Sequence, residues 1–318
     1  MYQQFFGLRE SPFNVNPDPR YLYLTKQMQE AYACLTYGIQ AKKGFILLTG
    51  EVGTGKTTLL NRLLDWLRTQ RATTAFVFNP RLSVTQMLDF VMTDFGIPCE
   101  SKLKSQVLLR LNQWLLERYK AGEAAVLIID EAQNLSHQVL EEIRLLTNLE
   151  TSTEKLLQIV LAGQPELELK LAQPELRQLR QRITMRSKTL PLSLEETAGY
   201  VQERLRIAGA TDDNIFSPEA VHAIHRLARG IPRVTNLLCE HALINSFVEQ
   251  QKPVREETVI EVAREFQLEE CSPVRRAPAS SNGAAAPLVQ SLLQNLANLI
   301  GRLGQHDPEV ESNRERKT

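Results

Sequence analysis

The sequence lacks any run of 18 consecutive apolar residues, and this absence predicts that the chain has no transmembrane segment. The N-terminus has neither the basic flank nor the apolar block of a secretory signal peptide. An excess of charge is missing too, because 37 Lys and Arg residues balance 37 Asp and Glu residues. This balance argues against a general nucleic-acid coat protein but leaves room for a local basic patch.

Cysteine and histidine are scarce, with four and five residues in 318. The cysteines show neither metal-ligand spacing nor a paired disulfide framework: Cys34, Cys99, Cys239 and Cys271. Such scattered thiols are typical of a reducing compartment, so the sequence predicts a cytoplasmic protein. His222 and His225 lie on one predicted helix, and we interpret them as surface residues and not as metal ligands.

One segment carries specific chemistry: Gly50-Glu51-Val52-Gly53-Thr54-Gly55-Lys56-Thr57, followed by Thr58. It matches the P-loop pattern G-x-x-x-x-G-K-[ST], in which backbone N–H groups surround phosphate oxygens, the lysine reaches the β- and γ-phosphates and the hydroxyl coordinates Mg²⁺. Apolar residues 45–48 precede the turn and leucines at helical spacing follow it, so a helix dipole points at the phosphates. The sequence therefore predicts a site for ATP and Mg²⁺ at residues 50–58.

A second segment supplies carboxylates, because the apolar residues 126–129 end at Asp130 and Glu131. A carboxylate at the end of a buried strand can lie beside the Mg²⁺ that Thr57 binds, so we predict that Asp130 is a metal partner, through a water. Glu131 turns to the other side, and we predict that it polarises the water that attacks the γ-phosphate. The alternative is that these acids only cap the next helix.

Gln164 follows the next apolar strand, residues 157–162. We expect this strand to lie between the P-loop strand and the Asp-Glu strand, which places the Gln164 amide near the γ-phosphate. The sequence therefore predicts that Gln164 orients the attacking water. The alternative is an ordinary helix-initiating turn ahead of Pro165.

Arginines complete the predicted site. Residues 177–188 hold five basic residues just before the last strand, and an arginine from a neighbouring subunit often stabilises the charge of phosphoryl transfer. We predict Arg182 as this finger, with Arg180 and Arg186 as alternatives and a solvated basic face as the other interpretation. Arg233 follows a sharp bend in the first turn of a helix, and we predict that it reaches back towards the phosphates.

Up to about residue 192, short apolar strands alternate with helical patterns, which is typical of a parallel sheet covered on both faces. The predicted strands are 44–49, 74–78, 125–130, 157–162 and 183–190. The predicted helices between them are 56–70, 83–96, 103–120 and 136–149. Three prolines in residues 1–25 predict an extended arm with little helix, which packs through its aromatic residues. We therefore predict an arm at 1–25 and an α/β nucleotide-binding domain at 26–192.

Beyond residue 192 the pattern predicts helices only, near 195–208, 217–228, 232–250 and 255–267. These form a predicted all-helical lid domain at 193–270. The remaining segments are a flexible linker at 271–287, an amphipathic helix at 288–304 and a disordered tail at 305–318.

These motifs together resemble the AAA+ ATPases, and within them the ExeA/GspA general secretion pathway ATPases. The stretches that carry the resemblance are Phe5-Phe6-Gly7-Leu8, Ser11-Pro12-Phe13, Pro17-Asp18-Pro19-Arg20-Tyr21-Leu22-Tyr23-Leu24, the P-loop, Asp130-Glu131-Ala132-Gln133-Asn134-Leu135 and Gly163-Gln164-Pro165-Glu166-Leu167. The resemblance covers about residues 1–267. It implies a P-loop NTPase fold of five parallel strands with a helical lid, the site roles given above, and an arm bordering the adenine pocket near Tyr21 and Leu22.

The resemblance also implies partners. We expect a homo-oligomer, a ring or a filament, that hydrolyses ATP to drive an envelope-associated assembly, reaching the inner membrane through a protein partner. Members that act at the envelope typically continue into a transmembrane helix and a peptidoglycan-binding domain, whereas residues 272–318 predict neither. The alternatives are a DNA-binding ATPase that is similar to the TnsC/TniB transposition regulators and forms ATP-dependent filaments, and a nucleotide-gated scaffold with negligible hydrolysis.

Overall fold

The structure, a computed structural model, describes residues 1–14, 18–78, 81–98, 103–212 and 214–268. The chain divides into two compact units, Met1–Val262 and Ala263–Thr318. The second unit is described only as far as residue 268. The predicted linker at 271–287, amphipathic helix at 288–304 and tail at 305–318 therefore lie outside the described residues.

The described residues form one five-stranded sheet, in which every pairing is parallel. Its strands are β1 (Phe45–Gly50), β2 (Ala72–Val77), β3 (Ala124–Ile129), β4 (Leu157–Gly163) and β5 (Met185–Thr189). The order is β2-β3-β4-β1-β5, so β4 lies between the P-loop strand and the strand that ends at Asp130, as predicted. The central strands are largely apolar, apart from the buried Thr49 in β1 and Gln158 in β4, because both of their faces are buried.

Helices cover the sheet on both faces. The helices are α1 (Tyr2–Phe6), α2 (Lys26–Gln40), α3 (Lys56–Thr69), α4 (Val84–Asp94), α5 (Lys104–Lys120), α6 (His137–Leu146), α7 (Pro165–Leu171), α8 (Arg177–Arg182), α9 (Leu194–Ile207), α10 (Pro218–Ala228), α11 (Pro232–Val248) and α12 (Glu256–Glu265). On one face, Ile46 and Leu48 of β1 pack against α2 and α3. On the other face, Phe45 and Leu47 pack against the core that α4 to α8 contribute. The alternation along β1 therefore builds a three-layer α/β fold, which confirms the predicted P-loop NTPase class.

The region after β5 is helical, as predicted, and the N-terminal arm packs on it. Tyr2 donates a hydrogen bond to Glu240 on α11 at 2.7 Å, and the Arg9 backbone N–H donates to the carbonyl of Ala208 at 2.7 Å. The rings of Phe13 and Phe216 meet edge to face at a centroid distance of 6.1 Å. Aromatic side chains and a backbone hydrogen bond thus hold the arm to α11, to the end of α9 and to Phe216 just before α10.

Four helices were not among the predicted elements: α1, α2, α7 and α8. The arm is not extended throughout, because Tyr2–Phe6 forms a helical turn that ends at Gly7 with φ 72°. Helix α2 begins at the Thr25 cap, whose hydroxyl accepts from the Met28 N–H at 3.1 Å.

No helix of the described residues is long and apolar enough to cross a membrane.

Gly230 is the tightest junction between the last strand and the helical region. Its φ is +70°, and an added Cβ would lie 2.1 Å from the Leu192 carbonyl oxygen. Gly122 also has a positive φ, +71°, but no atom lies within 4 Å of a Cβ added there. Both substitutions to alanine incur the left-handed strain of about 1–2 kcal/mol, but only Gly230→Ala also displaces backbone.

We therefore expect Gly230→Ala to lower the free energy of unfolding by roughly 1–3 kcal/mol more than Gly122→Ala does. Urea unfolding of the two variants checks this difference. Equal losses would show that the Leu192 contact is not tight.

Candidate functional site

The P-loop holds its lysine in a buried position between β1 and α3. Lys56 is 5% exposed, and its Nζ donates hydrogen bonds to the carbonyl oxygens of Gly50 at 2.7 Å and Glu51 at 2.9 Å. Burial lowers the pKa of the Lys56 ammonium, while the charges of Glu131 and Asp130 act in the opposite direction. A desolvated ammonium of this kind gains strongly from a polyanion, because its present acceptors are uncharged carbonyls.

The turn itself is shaped by close approach of the chain. Gly53 has φ +81°, and an added Cβ would lie 2.7 Å from the Arg233 Cβ. The Arg233 N–H donates to the Gly53 carbonyl oxygen at 3.2 Å. Thr54 is 1% exposed and its hydroxyl lies 2.7 Å from that of Thr189 at the end of β5. The loop is therefore fixed from two sides, by β5 and by the start of α11.

Thr57 and Asp130 present two oxygen atoms to one point. The Thr57 hydroxyl donates to Asp130 Oδ2 at 2.8 Å. Two neighbouring ligands of an octahedral Mg²⁺ at 2.0–2.1 Å lie about 2.9 Å apart, so this pair fits the spacing and the oxygen chemistry that Mg²⁺ requires. Burial raises the pKa of the Asp130 carboxyl, and the bond from Thr57 opposes that rise. A cation at this point would satisfy a carboxylate that the fold has desolvated.

Glu131 lies beside them with its carboxylate held by two amides. Gln164 Nε2 donates to Glu131 Oε2 at 3.1 Å, and Gln133 Nε2 donates to the same oxygen at 2.6 Å. Gln133 Oε1 also accepts from the Gln164 backbone N–H at 3.1 Å. Glu131 has φ 53°, a left-handed conformation that is uncommon outside glycine. The end of β3 and the end of β4 are thus joined into one hydrogen-bonded cluster.

A cavity of about 310 Å³ lies in front of the P-loop. Its walls come from the arm, the P-loop, Glu131, the end of β5 and the helices α9 and α11. Of the predicted site residues, it is lined by Val52, Gly53, Thr54, Gly55, Lys56, Thr57, Thr58, Glu131 and Arg233. Tyr21 and Leu22 border it as well, at the place where the resemblance puts the adenine pocket.

Five predicted site residues do not line this cavity: Gly50, Glu51, Asp130, Gln164 and Arg182. The first four lie next to residues that do, whereas Arg182 lies far from the P-loop. It ends α8, two residues before Thr184, whose N–H donates to the Phe45 carbonyl at the start of β1. Five residues of strand separate that point from Gly50, a rise of about 16 Å. The Arg182 guanidinium donates instead to the Thr147 hydroxyl at 3.0 Å. Within one chain, Arg182 therefore lies near the amino-terminal ends of the strands, whereas the P-loop lies at their carboxyl-terminal ends.

His222 and His225 both lie on α10. His222 is exposed, and His225 Nδ1 lies 2.9 Å from the Thr197 hydroxyl. Within the described ranges, no group of three His, Cys, Asp or Glu side chains is placed to hold a metal ion.

Comparison with known proteins agrees with this geometry. Residues 39–171 match the family described as AAA domain. The chain is 49% identical over 248 residues to General secretion pathway protein A of Aeromonas hydrophila, covering 78% of this chain and 45% of that protein. It is also 32% identical over 107 residues to ATP-dependent DNA helicase Pif1 of Psychrobacter sp. (strain PRwf-1), covering 31% of this chain and 16% of that protein. The chain spans less than half the length of each of these relatives.

Solved structures show the same fold. The Aeropyrum pernix ORC2 protein, determined in ADPNP-ADP complexes, aligns with a TM-score of 0.60 at 16% identity over 80% of this chain and 71% of that one. Residues 39–171 of this chain are an AAA domain. Within that family the chain resembles General secretion pathway protein A, as the motifs of the arm, the P-loop and the Asp-Glu strand predicted.

The AAA+ site also contains residues that the sequence did not single out. Gln133 on the Glu131 cluster, Thr189 behind the P-loop, and Tyr200, Arg204 and Asn236 on the cavity wall belong to this group. Gln133 is two positions from Glu131, so its place in the site could have been predicted from the Asp-Glu motif. Asn236 lies one helical turn after the predicted Arg233. Thr189, Tyr200 and Arg204 lie far from any motif in sequence, and only the fold brings them to the site.

The buried Asp130 makes stability depend on pH. A carboxyl whose pKa is higher in the folded than in the unfolded state favours folding at low pH, and that contribution is lost as the pH rises through the folded-state pKa. We therefore expect Asp130→Asn to raise the free energy of unfolding of the nucleotide-free protein at pH 8. The gain should shrink as the pH falls towards the ordinary aspartate value of about 3.9.

Urea unfolding between pH 8 and pH 4.5 measures this effect. The control is Asp65→Asn, an exposed carboxylate on α3 whose side chain is 52% exposed, which should change stability by no more than about 0.5 kcal/mol. Destabilisation by Asp130→Asn at pH 8 would contradict the prediction.

Proposed function

We propose that this chain binds ATP with Mg²⁺ in the P-loop cavity and hydrolyses it to ADP and phosphate. The observation that carries the proposal is the meeting of Lys56, the Thr57–Asp130 pair and the Glu131 cluster at the carboxyl ends of β1, β3 and β4. Ligands of open parallel sheets bind at this edge. A triphosphate there meets an ammonium, a metal position and a carboxylate base in the order that phosphoryl transfer needs.

Each residue of the site has a defined task in this proposal. Lys56 and the backbone N–H groups of the loop bind the β- and γ-phosphates, and Thr57 and Asp130 hold Mg²⁺. Glu131 accepts the proton of the attacking water, and Gln164 orients that water. The contacts to Gln133 and Gln164 support this assignment, because they fix one Glu131 oxygen and leave the other available to the water.

Two substitutions separate binding from chemistry. Lys56→Ala should abolish tight ATP binding, because it removes the ammonium that faces the phosphates. Glu131→Gln should keep ATP binding but lower the rate of hydrolysis by about 10²- to 10⁴-fold, because an amide cannot accept the proton. Binding is measured by calorimetry and turnover by phosphate release.

The control is Glu175→Gln, an exposed carboxylate outside the cavity, which should leave both quantities unchanged. Hydrolysis by the Glu131→Gln variant at the rate of the parent would exclude Glu131 as the base.

We further propose that the active form is a homo-oligomer, a ring or a filament. In one chain Arg182 lies near the amino-terminal ends of the strands, away from its own P-loop. This position supports a role at the site of a neighbouring subunit. Arg180 and Arg186 are exposed and remain alternative fingers. Arg233 is held on the P-loop through Gly53 at the start of α11, which supports its proposed role in conveying the state of the nucleotide to the helical region.

Mixing two inactive variants tests whether Arg182 acts at the site of a neighbouring subunit. Glu131→Gln keeps its Arg182, and Arg182→Ala keeps its Glu131, so a mixed oligomer should contain competent sites and recover part of the parent activity. Arg177→Ala, at the exposed start of α8, is the control and should be active alone. No recovery on mixing, with oligomers formed, would place Arg182 outside the neighbour's site.

The client of this ATPase is proposed from the relative. General secretion pathway protein A supports a role in an envelope-associated assembly, such as a secretion, pilus or exopolysaccharide system, with this chain at the cytoplasmic face and reaching the membrane through a protein partner. The second candidate is a DNA-binding AAA+ filament. The exposed basic residues Arg177, Arg180 and Arg186, and a relative named as a DNA helicase, favour testing it.

Duplex binding in the presence of ATP distinguishes the two. A DNA-binding filament should show affinity that falls steeply with salt, because binding releases counterions from phosphates. We expect no such binding for the envelope role.

A further inference from the structure

One buried arginine ties the N-terminal arm to the helical region. Arg204 lies on α9 and is 6% exposed. Its Nε donates to the Pro12 carbonyl oxygen at 2.5 Å, and its Nη2 donates to the Asn14 carbonyl oxygen at 3.4 Å. Its Nη1 donates to the Tyr200 hydroxyl at 2.8 Å. The guanidinium therefore holds the arm against α9 through two backbone carbonyls.

Arg204 forms no salt bridge in the described part of the chain, and the charges of Asp18 and Glu240 act on it from beyond salt-bridge distance. Aromatic rings surround it instead, with the Tyr21 centroid 4.5 Å and the Tyr200 centroid 5.4 Å from the guanidinium carbon. Burying a charge without an opposite charge is costly, and uncharged acceptors compensate only part of that cost. A ligand that offers further acceptors would complete the surroundings of this group.

Arg204 and Asn236 line the same cavity as the P-loop. Asn236 is 8% exposed, and its Oδ1 accepts from the Tyr200 hydroxyl at 2.8 Å. Lys56 thus supplies a donor at one part of the cavity wall, while Arg204 and Asn236 supply donors on the part formed by α9 and α11.

The arm also contacts α9 through Tyr23. The rings of Tyr23 and Tyr200 meet edge to face at 6.1 Å, and a Cβ at Gly199 would lie 2.3 Å from the Tyr23 hydroxyl. Both Tyr21 and Tyr23 line the cavity. A group that occupies this part of the cavity therefore contacts the arm and α9 at once.

We propose that Arg204 and Asn236 bind the adenine base of ATP and that Arg204 thereby couples base occupancy to the position of the N-terminal arm. The ring nitrogens of adenine accept hydrogen bonds, which is the chemistry that these donors require. A base bound there adds contacts only to the arm conformation seen here, so it shifts the population of the arm towards that conformation. This inference rests on the proposed function, because it requires a nucleotide in the cavity.

Limited trypsin digestion of the unmodified protein tests the coupling. Arg9 and Arg20 are trypsin sites within the arm. The two ligands are ATP and inorganic tripolyphosphate, each with Mg²⁺, because tripolyphosphate offers the phosphates without a base. Saturating ATP should slow cleavage of the arm by about tenfold, a shift of 1.4 kcal/mol, and tripolyphosphate by less than about twofold.

The outcomes are distinguishable. If both ligands bind and protect the arm equally, the inference is overturned and the proposed function stands. If neither ligand binds, both are overturned.

Two variants locate the effect. Arg204→Gln removes the charge, whereas Asn236→Asp keeps the acceptor for Tyr200 and removes the two donors. Each should weaken ATP binding by about 10- to 100-fold and tripolyphosphate binding by less than about twofold. The control is Arg206→Gln, an exposed residue of the same helix that pairs with Glu203 at 2.7 Å, and it should bind both ligands as the parent does. Equal losses for the two ligands would reduce Arg204 and Asn236 to a structural role and overturn the inference.

Discussion

The burial of opposite charges at one edge of the sheet is the constraint on which this structure depends. Lys56 at the start of α3 and Asp130 after β3 are buried, Glu131 beside them is half-buried, and burial shifts the pKa of the first two towards their neutral forms. Their mutual attraction opposes those shifts. A magnesium-bound triphosphate, the ligand of the proposed function, would offer charge of both signs to this cluster.

Much of this arrangement could be predicted from the sequence. The five strands were predicted to within two residues at each end, because buried parallel strands are continuous apolar runs bounded by turns. The order that places β4 beside β1 was also correct. The P-loop and the Asp-Glu pair are local in sequence, so their spacing was sufficient to assign them to one site. Gln164 followed from the strand order.

The remainder could not be predicted because it depends on tertiary contacts. Helix α2 contains no strong motif, and its helical state is favoured by packing of Leu35 and Ile39 on β1. Arg204 and Asn236 match no motif of their own in sequence, and they reach the cavity only because the fold brings α9 and α11 to it. The prolines of the arm predicted extended chain, yet the aromatic contacts with α11 stabilise a short helix at Tyr2–Phe6.

A crystal structure with a non-hydrolysable ATP analogue and Mg²⁺ decides whether the charged cluster at the P-loop is a nucleotide site. We expect a triphosphate within hydrogen-bond distance of Lys56 Nζ, and a metal ion coordinated by the Thr57 hydroxyl with Asp130 beside it. An analogue bound elsewhere, or a cavity that stays empty at saturating concentration, would show that this cluster does not bind ATP.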